Sequence, residues 1–143
     1  MKLVNFKIEH FDRMDIEPTS HLRREYRERY EMYAQNGSAF TLLDKEGNIL
    51  ACGGVVVHWA GVGEVWILKS KSLSEHPVSA FRVGRFGIAD ALERLNLHRI
   101  QATVEAGDVL AQNYIEAFDF VLEGKLRCYG PEKQDYFLYA RVK

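Results

Sequence analysis

The chain has 143 residues, 47% of them hydrophobic and 27% charged, with a formal net charge of −1. That length suits one domain around a well-buried core, and the composition is that of an ordinary globular protein. Near-neutral charge excludes a global pull toward nucleic acid or an anionic membrane, and no apolar run approaches the roughly 20 residues that span a bilayer.

In chain order, residues 1–8 alternate apolar and polar side chains, with Val4, Phe6 and Ile8 on one face, and predict a first strand. Charges interrupt the apolar residues of this segment every second or third position, so a signal peptide is not expected. From residue 18 to 33 the pattern turns helical. Leu22, Tyr26, Tyr30 and Tyr33 recur at helical spacing, and Arg24–Glu28 and Arg27–Glu31 stand four apart. Pro18, Thr19 and Ser20 supply start signals and Asn36-Gly37 a stop. The Arg/Glu face reads as solvated or as a surface for an acidic partner; its alternating signs favour the first.

Strands follow at residues 39–43 and 49–58, joined by a hairpin turn at Gly47 and Asn48. Cys52-Gly53-Gly54 interrupts the second of these and is expected to form a bulge. A further turn around Gly61 and Gly63 leads to residues 64–68, EVWIL, whose unbroken apolar run predicts a central strand covered on both faces. Residues 69–76 form a polar loop. Residues 77–95 are helical, with Val78, Phe81, Arg85, Ile88, Leu92 and Leu95 at three- and four-residue intervals and Pro77 in the first turn. Residues 99–104 read as a strand, 108–117 as a helix, 120–129 as a strand, and Gly130-Pro131 turns the chain into a last strand at 136–142. The expected architecture is a single α/β domain over residues 1–143, β-α-β-β-β-α-β-α-β-β, with a mixed sheet flanked by helices. Cys52 and Cys128 have no metal or disulfide spacing; a reduced, cytosolic setting is expected, with a buried thiol serving as a small core residue. The histidines at 10, 21, 58, 76 and 98 contain no pair at metal-ligand spacing.

This order of elements, and the segment HRIQATVEAGDVLAQNYIEAFDF at residues 98–120, resembles the GCN5-related N-acetyltransferases (GNAT). The resemblance implies acetyl-CoA as cofactor, held between splayed fourth and fifth strands, with an amine as acceptor. On the fourth strand it implies backbone contacts to the pantetheine arm from Ile67, Leu68 and Lys69. The family's diphosphate loop, Gln/Arg-x-x-Gly-x-Gly/Ala, aligns best with Arg82-Val-Gly-Arg85-Phe-Gly87, with Arg85 where a glycine belongs. A second candidate cradle is the loop of Lys69, Ser70, Lys71, Ser72 and Ser74, whose ammonium and hydroxyl groups suit phosphate oxygens; the alternative is a solvated connection. The later pattern Asn-x-x-Ala-x-x-x-Tyr-x-x-x-Gly-Phe falls on Asp108, Ala111, Ile115, Asp119 and Phe120. Asp108 can cap a helix as asparagine does. Ile115 cannot protonate a thiolate as the family's tyrosine does. Tyr114 lies one residue earlier and is either a replacement or a tyrosine packed at the helix edge, since one step turns a side chain by about 100°.

Acyl transfer to an amine also needs a proton acceptor. Glu64, beginning the fourth strand, and Glu105, ending the fifth, are the candidates, Glu105 nearer the strand end where the family's site opens and Glu64 at the other; for each a solvated strand-end charge is the favoured alternative. The EVWILKSK…HPVSAFRVGRFGIADAL stretch is in addition similar to acetyltransferase-like internal virion proteins of short-tailed bacteriophages. That likeness implies a non-catalytic assembly or binding protein with other virion proteins as partners, in host cytoplasm or virion.

Overall fold

The computed structural model describes residues 1–16 and 27–143. The strands are β1 (Lys2–Asn5), β2 (Gly37–Leu43), β3 (Ile49–Trp59), β4 (Val62–Lys69), β5 (Arg99–Glu105), β6 (Val121–Leu126) and β7 (Tyr136–Val142). The helices are α1 (Ile8–Arg13), α2 (Arg27–Gln35), α3 (Pro77–Arg94) and α4 (Val109–Ala117). One seven-stranded sheet runs in the order β1-β2-β3-β4-β5-β7-β6. Every neighbouring pair is antiparallel except β4 and β5, the parallel pair that the α3 crossover makes possible. The expected α/β architecture is therefore the observed one. Among the described residues no helix is long and apolar enough to cross a membrane.

Each face of the sheet carries its own core. On one side α3 and α4 press Ile88, Ala91, Leu92 and Ile115 against Ile100, Ala102 and Val104 of β5 and Tyr139 of β7. On the other, Phe11, Met14 and Tyr30 pack over Cys52, Val56, Trp66 and Leu68. The alternation on β5 divides it cleanly: even-numbered residues are buried under α3 and α4, while Arg99, Gln101, Thr103 and Glu105 face the other side.

Several local expectations change. The first strand stops at Asn5, and residues 8–13 form a short helix that drops Phe11 into the core, 0% exposed. Of the helix expected at 18–33, residues 27–33 are helical, within Arg27–Gln35, and 18–26 fall outside the described residues. Gly53 and Gly54 are not a bulge. Both pair in register with β2 and β4, and the irregularities lie at Leu42/Leu43 and Val57/Trp59. Glycine is needed because a Cβ on Gly54 would collide with the Ser38 carbonyl of the neighbouring strand. β4 is the middle strand of the seven, yet Ile67 is 47% exposed, because at that level the strand has lost its neighbour on one side.

A candidate active site where two central strands part

β4 and β5 pair only through Val62↔Arg99, Gly63↔Ile100 and Glu64↔Gln101. Beyond that register β4 continues to Lys69 and β5 to Glu105. Each is still held on its far side, β4 by β3 as far as Ala51↔Lys69 and β5 by β7 as far as Glu105↔Tyr136. The seam opens while both arms stay paired in the sheet. It leaves a wedge with Glu64 and Gln101 at its apex and the starts of α3 and α4 flanking its mouth.

At the apex, the Glu64 Oε1 meets His58 Nε2 of β3 at 3.2 Å and Gln101 Nε2 of β5 at 2.9 Å. Gln101 Oε1 in turn accepts from Arg99 Nε at 3.1 Å, and the Arg99 guanidinium forks onto Glu123 of β6 at 3.1 and 2.7 Å. Further along the same face stand Thr103 and Glu105, with Tyr129 and Tyr136 beside them, their rings 5.2 Å apart edge to face. Burial, then the Glu64 and Tyr33 charges, pushes the Tyr129 phenol up. Burial, then the Glu105 carboxylate, pushes Tyr136 up to about 12. Both phenols are neutral donors at physiological pH. Trp66, two residues beyond Glu64 on this face, has a buried indole N–H with no hydrogen-bond partner among the described residues.

At the mouth, Lys69 Nζ reaches Asp108 Oδ2 at 3.2 Å, and Asp108 Oδ1 caps α4 by accepting from Ala111 N at 3.0 Å. The reading of Asp108 as a helix cap in place of asparagine holds. Tyr114 packs near Phe81 and Phe118, its hydroxyl 3.5 Å from the Pro77 carbonyl at the start of α3. Ile115 is 7% exposed in the core, as the helix phase requires. Asp119 takes φ +67° in a Schellman end, Phe120 N bonding Ile115 O and Asp119 N bonding Glu116 O. The left-handed position of the family's glycine is thus retained with aspartate in it.

The remaining sequence candidates are scattered. Leu68 is fully buried, so only its backbone is offered to the wedge. Lys71 pairs with Asp15 at 3.3 Å, Ser70 is 3% exposed with its Oγ 3.1 Å from Ser72 Oγ, and Ile16 bridges to Ser70. Arg82, Arg85 and Gly87 lie within α3, which begins at Pro77, and are not in a loop. Their N–H groups belong to the helical ladder, whereas phosphate is cradled by the unspent N–H groups of a first turn. Gly84 serves packing instead, since a Cβ there would come within 2.8 Å of the Phe118 ring. Cys52, in the core, is pushed up to about 11 by burial and makes no nucleophile at neutral pH. Sequence reasoning missed the parts played by His58 and Gln101. The signal for Gln101 was its phase: it falls with Arg99, Thr103 and Glu105 on the polar side of an alternating strand.

No family model and no curated protein sequence matches the chain, so the likeness to known proteins rests on structure. A chimera of the spermidine N-acetyltransferase SpeG from Vibrio cholerae and hSSAT superposes with TM-score 0.79 at 16% identity, covering 99% of this chain and 94% of its own. The fold is that of the GNAT acetyltransferases. A putative phosphinothricin N-acetyltransferase matches with TM-score 0.79 at 13% identity, covering 99% and 97%. A GNAT-family acetyltransferase from Bacillus anthracis matches with TM-score 0.73 at 14%, covering 98% and 93%. In this GNAT fold the parted β4 and β5 correspond to the splayed strands that the sequence resemblance implied.

Proposed function

We propose that the chain is an acetyl-CoA-dependent N-acetyltransferase whose chemistry takes place in the wedge between β4 and β5. The observation that carries this reading is the loss of β4–β5 pairing after Glu64↔Gln101 while both strands continue. Acetyl-CoA supplies the acetyl thioester. The wedge suits its pantetheine arm: Ile67 is half exposed there, and Val78, Val109 and Leu110, 60 to 64% exposed, stand at the starts of the two flanking helices. Backbone groups of Ile67, Leu68 and Lys69 would hold the arm, and the first turn of α3 with Lys69 would face the diphosphate.

Glu64 takes the proton of the acceptor amine. It sits at the apex with a side chain only 20% exposed, and His58 and Gln101 both hold Oε1, so Oε2 would be the oxygen that accepts the proton. Tyr114 is the hydroxyl at the mouth, placed to give a proton to a departing thiolate. Glu105, farther along the same face of β5, contributes negative charge that suits a cationic acceptor.

A second, non-catalytic reading has its own observation. Both ammonium groups of the segment 69–71 already have carboxylate partners, and Ser70 and Ser72 bond each other. A binding or assembly protein on this fold, with the phage-virion likeness behind it, would keep the wedge and lose the diphosphate grip.

Calorimetry with acetyl-CoA separates the two, followed by thiol release with spermidine and phosphinothricin as acceptors. Saturation at 100 times Kd should stabilise the fold by about 2.7 kcal/mol. No heat and no thermal shift at millimolar acetyl-CoA would sink the transferase reading and leave the assembly one.

A further inference from the structure

We propose that His58 is a positioning residue for Glu64, holding the carboxylate by a hydrogen bond so that its second oxygen faces the acceptor amine. This rests on the transferase reading above. Three neighbouring strands contribute one polar side chain each around the apex: Glu64 from β4 and Gln101 from β5, which are paired in register, and His58 from the irregular end of β3, where the ladder shifts between Val57 and Trp59. Both contacts fall on Oε1, from opposite sides, and this fixes the rotation of the carboxylate about its last bond. Neither side chain is loose. Gln101 is oriented by Arg99, itself forked onto Glu123. His58 lies beside the Trp59 ring at 5.9 Å. The resulting chain draws its side chains from β3, β4, β5 and β6, passing over β7 between the last two, and begins where the wedge begins.

The arrangement answers a specific need. A glutamate has three rotatable bonds, and a base held about 1 Å from its productive place can lose about a hundredfold in rate. A backbone opening, unlike a closed sheet, gives no packing on the wedge side to restrain it. Two N–H donors on one oxygen supply the restraint by hydrogen bonds instead. A surface histidine with no task would have no reason to point across the strand boundary at a carboxylate that is more sheltered than itself, 20% against 33% exposed.

The test measures steady-state turnover of acetyl-CoA with whichever of spermidine or phosphinothricin the wild-type protein accepts. His58→Ala should lower kcat by about 10- to 100-fold with KM for acetyl-CoA unchanged. His58→Gln, which keeps an N–H donor, should recover most of it, and Gln101→Leu should show the same kcat loss from the other side. Wild-type turnover with kcat of His58→Ala and Gln101→Leu unaltered overturns this inference and leaves the transferase reading standing. A loss in His58→Ala that His58→Gln fails to rescue also overturns it, since ring packing would then be the cause. Wild-type protein that binds acetyl-CoA yet acetylates neither amine counts against the transferase reading itself and takes the inference with it.

Discussion

The two ends of β4 have been put to different uses. At the Glu64 end, side chains from four strands form one hydrogen-bonded chain whose two contacts to the carboxylate both fall on Oε1. At the Lys69 end, the cations that could face a diphosphate are matched within the chain, Lys69 by Asp108 and Lys71 by Asp15. The opening between them is made by backbone pairing alone, with β3 and β7 each holding one arm. A fold therefore keeps its cleft through the ladder, while the chemistry at each end of that cleft changes one side chain at a time.

The sharpest way to break this comparison is to act on the arm itself. Leu68 is fully buried against Trp66 and Phe11, whereas its neighbour Ile67 faces the wedge half exposed. Leu68→Ala should cost about 2–5 kcal/mol of stability. Ile67→Ala should cost well under about 1 kcal/mol and instead weaken acetyl-CoA binding. Chemical denaturation together with calorimetry reads both; equal stability losses would mean that the wedge is closed in solution.

The same contrast explains what could be read from the sequence. Elements with several turns or clean alternation were legible: α3 from its three- and four-residue spacing, β5 from its strict alternation, β7 to the residue. α1 was not, because six residues complete fewer than two turns and Ile8, Phe11 and Met14 are too few to distinguish a helical period from the end of a strand. The Gly53-Gly54 pair announced an unusual backbone position, but a bulge and a close strand approach leave the same mark in a sequence. Glu64 was visible as a carboxylate at a strand start. Its partners were not, since Gln101 is 37 positions away and only the parallel β4–β5 register brings it alongside. Tyr114 was legible as a helix residue one step from the core; that it reaches the Pro77 carbonyl depends on how α3 and α4 approach, which Gly84 against Phe118 permits.

A smaller effect sharpens the mouth of the wedge. Asp108→Asn keeps a capping oxygen for Ala111 N but removes the charge that holds Lys69. A partly exposed pair of this kind is worth up to about 1 kcal/mol, so freeing the ammonium should tighten acetyl-CoA by about 2- to 5-fold in calorimetry. Unchanged affinity would show that Lys69 has no part in holding the diphosphate. At the far end of α4, Asp119→Gly should stabilise the fold by about 0.5 kcal/mol. Glycine adopts φ +67° freely, and removing a negative charge from a helix C-terminus adds a few tenths more. Denaturant midpoints compared at constant slope would read it.

The smallest effect concerns the other end of the chain of bonds that reaches Glu64. The Arg99 guanidinium, by hydrogen bonding and charge, holds the Glu123 carboxyl below its ordinary 4.5. A carboxylate depressed in the folded state binds fewer protons there than in the unfolded chain, so its contribution is complete above that ordinary value. It is lost as pH falls through the lower folded value. The stability difference between wild type and Glu123→Gln should therefore be flat from neutrality down to about pH 5.5, shrink below about 4.5, and vanish once both states are protonated. Asp135, held low by the Cys128 N–H and Lys125, titrates over a similar range in both proteins and cancels from the difference. A difference that stays constant through pH 3 would mean the Arg99–Glu123 fork is not formed in solution. In that case Gln101 would lose its anchor, and the end of β4 that this chain has kept assembled would be looser than the end it has neutralised.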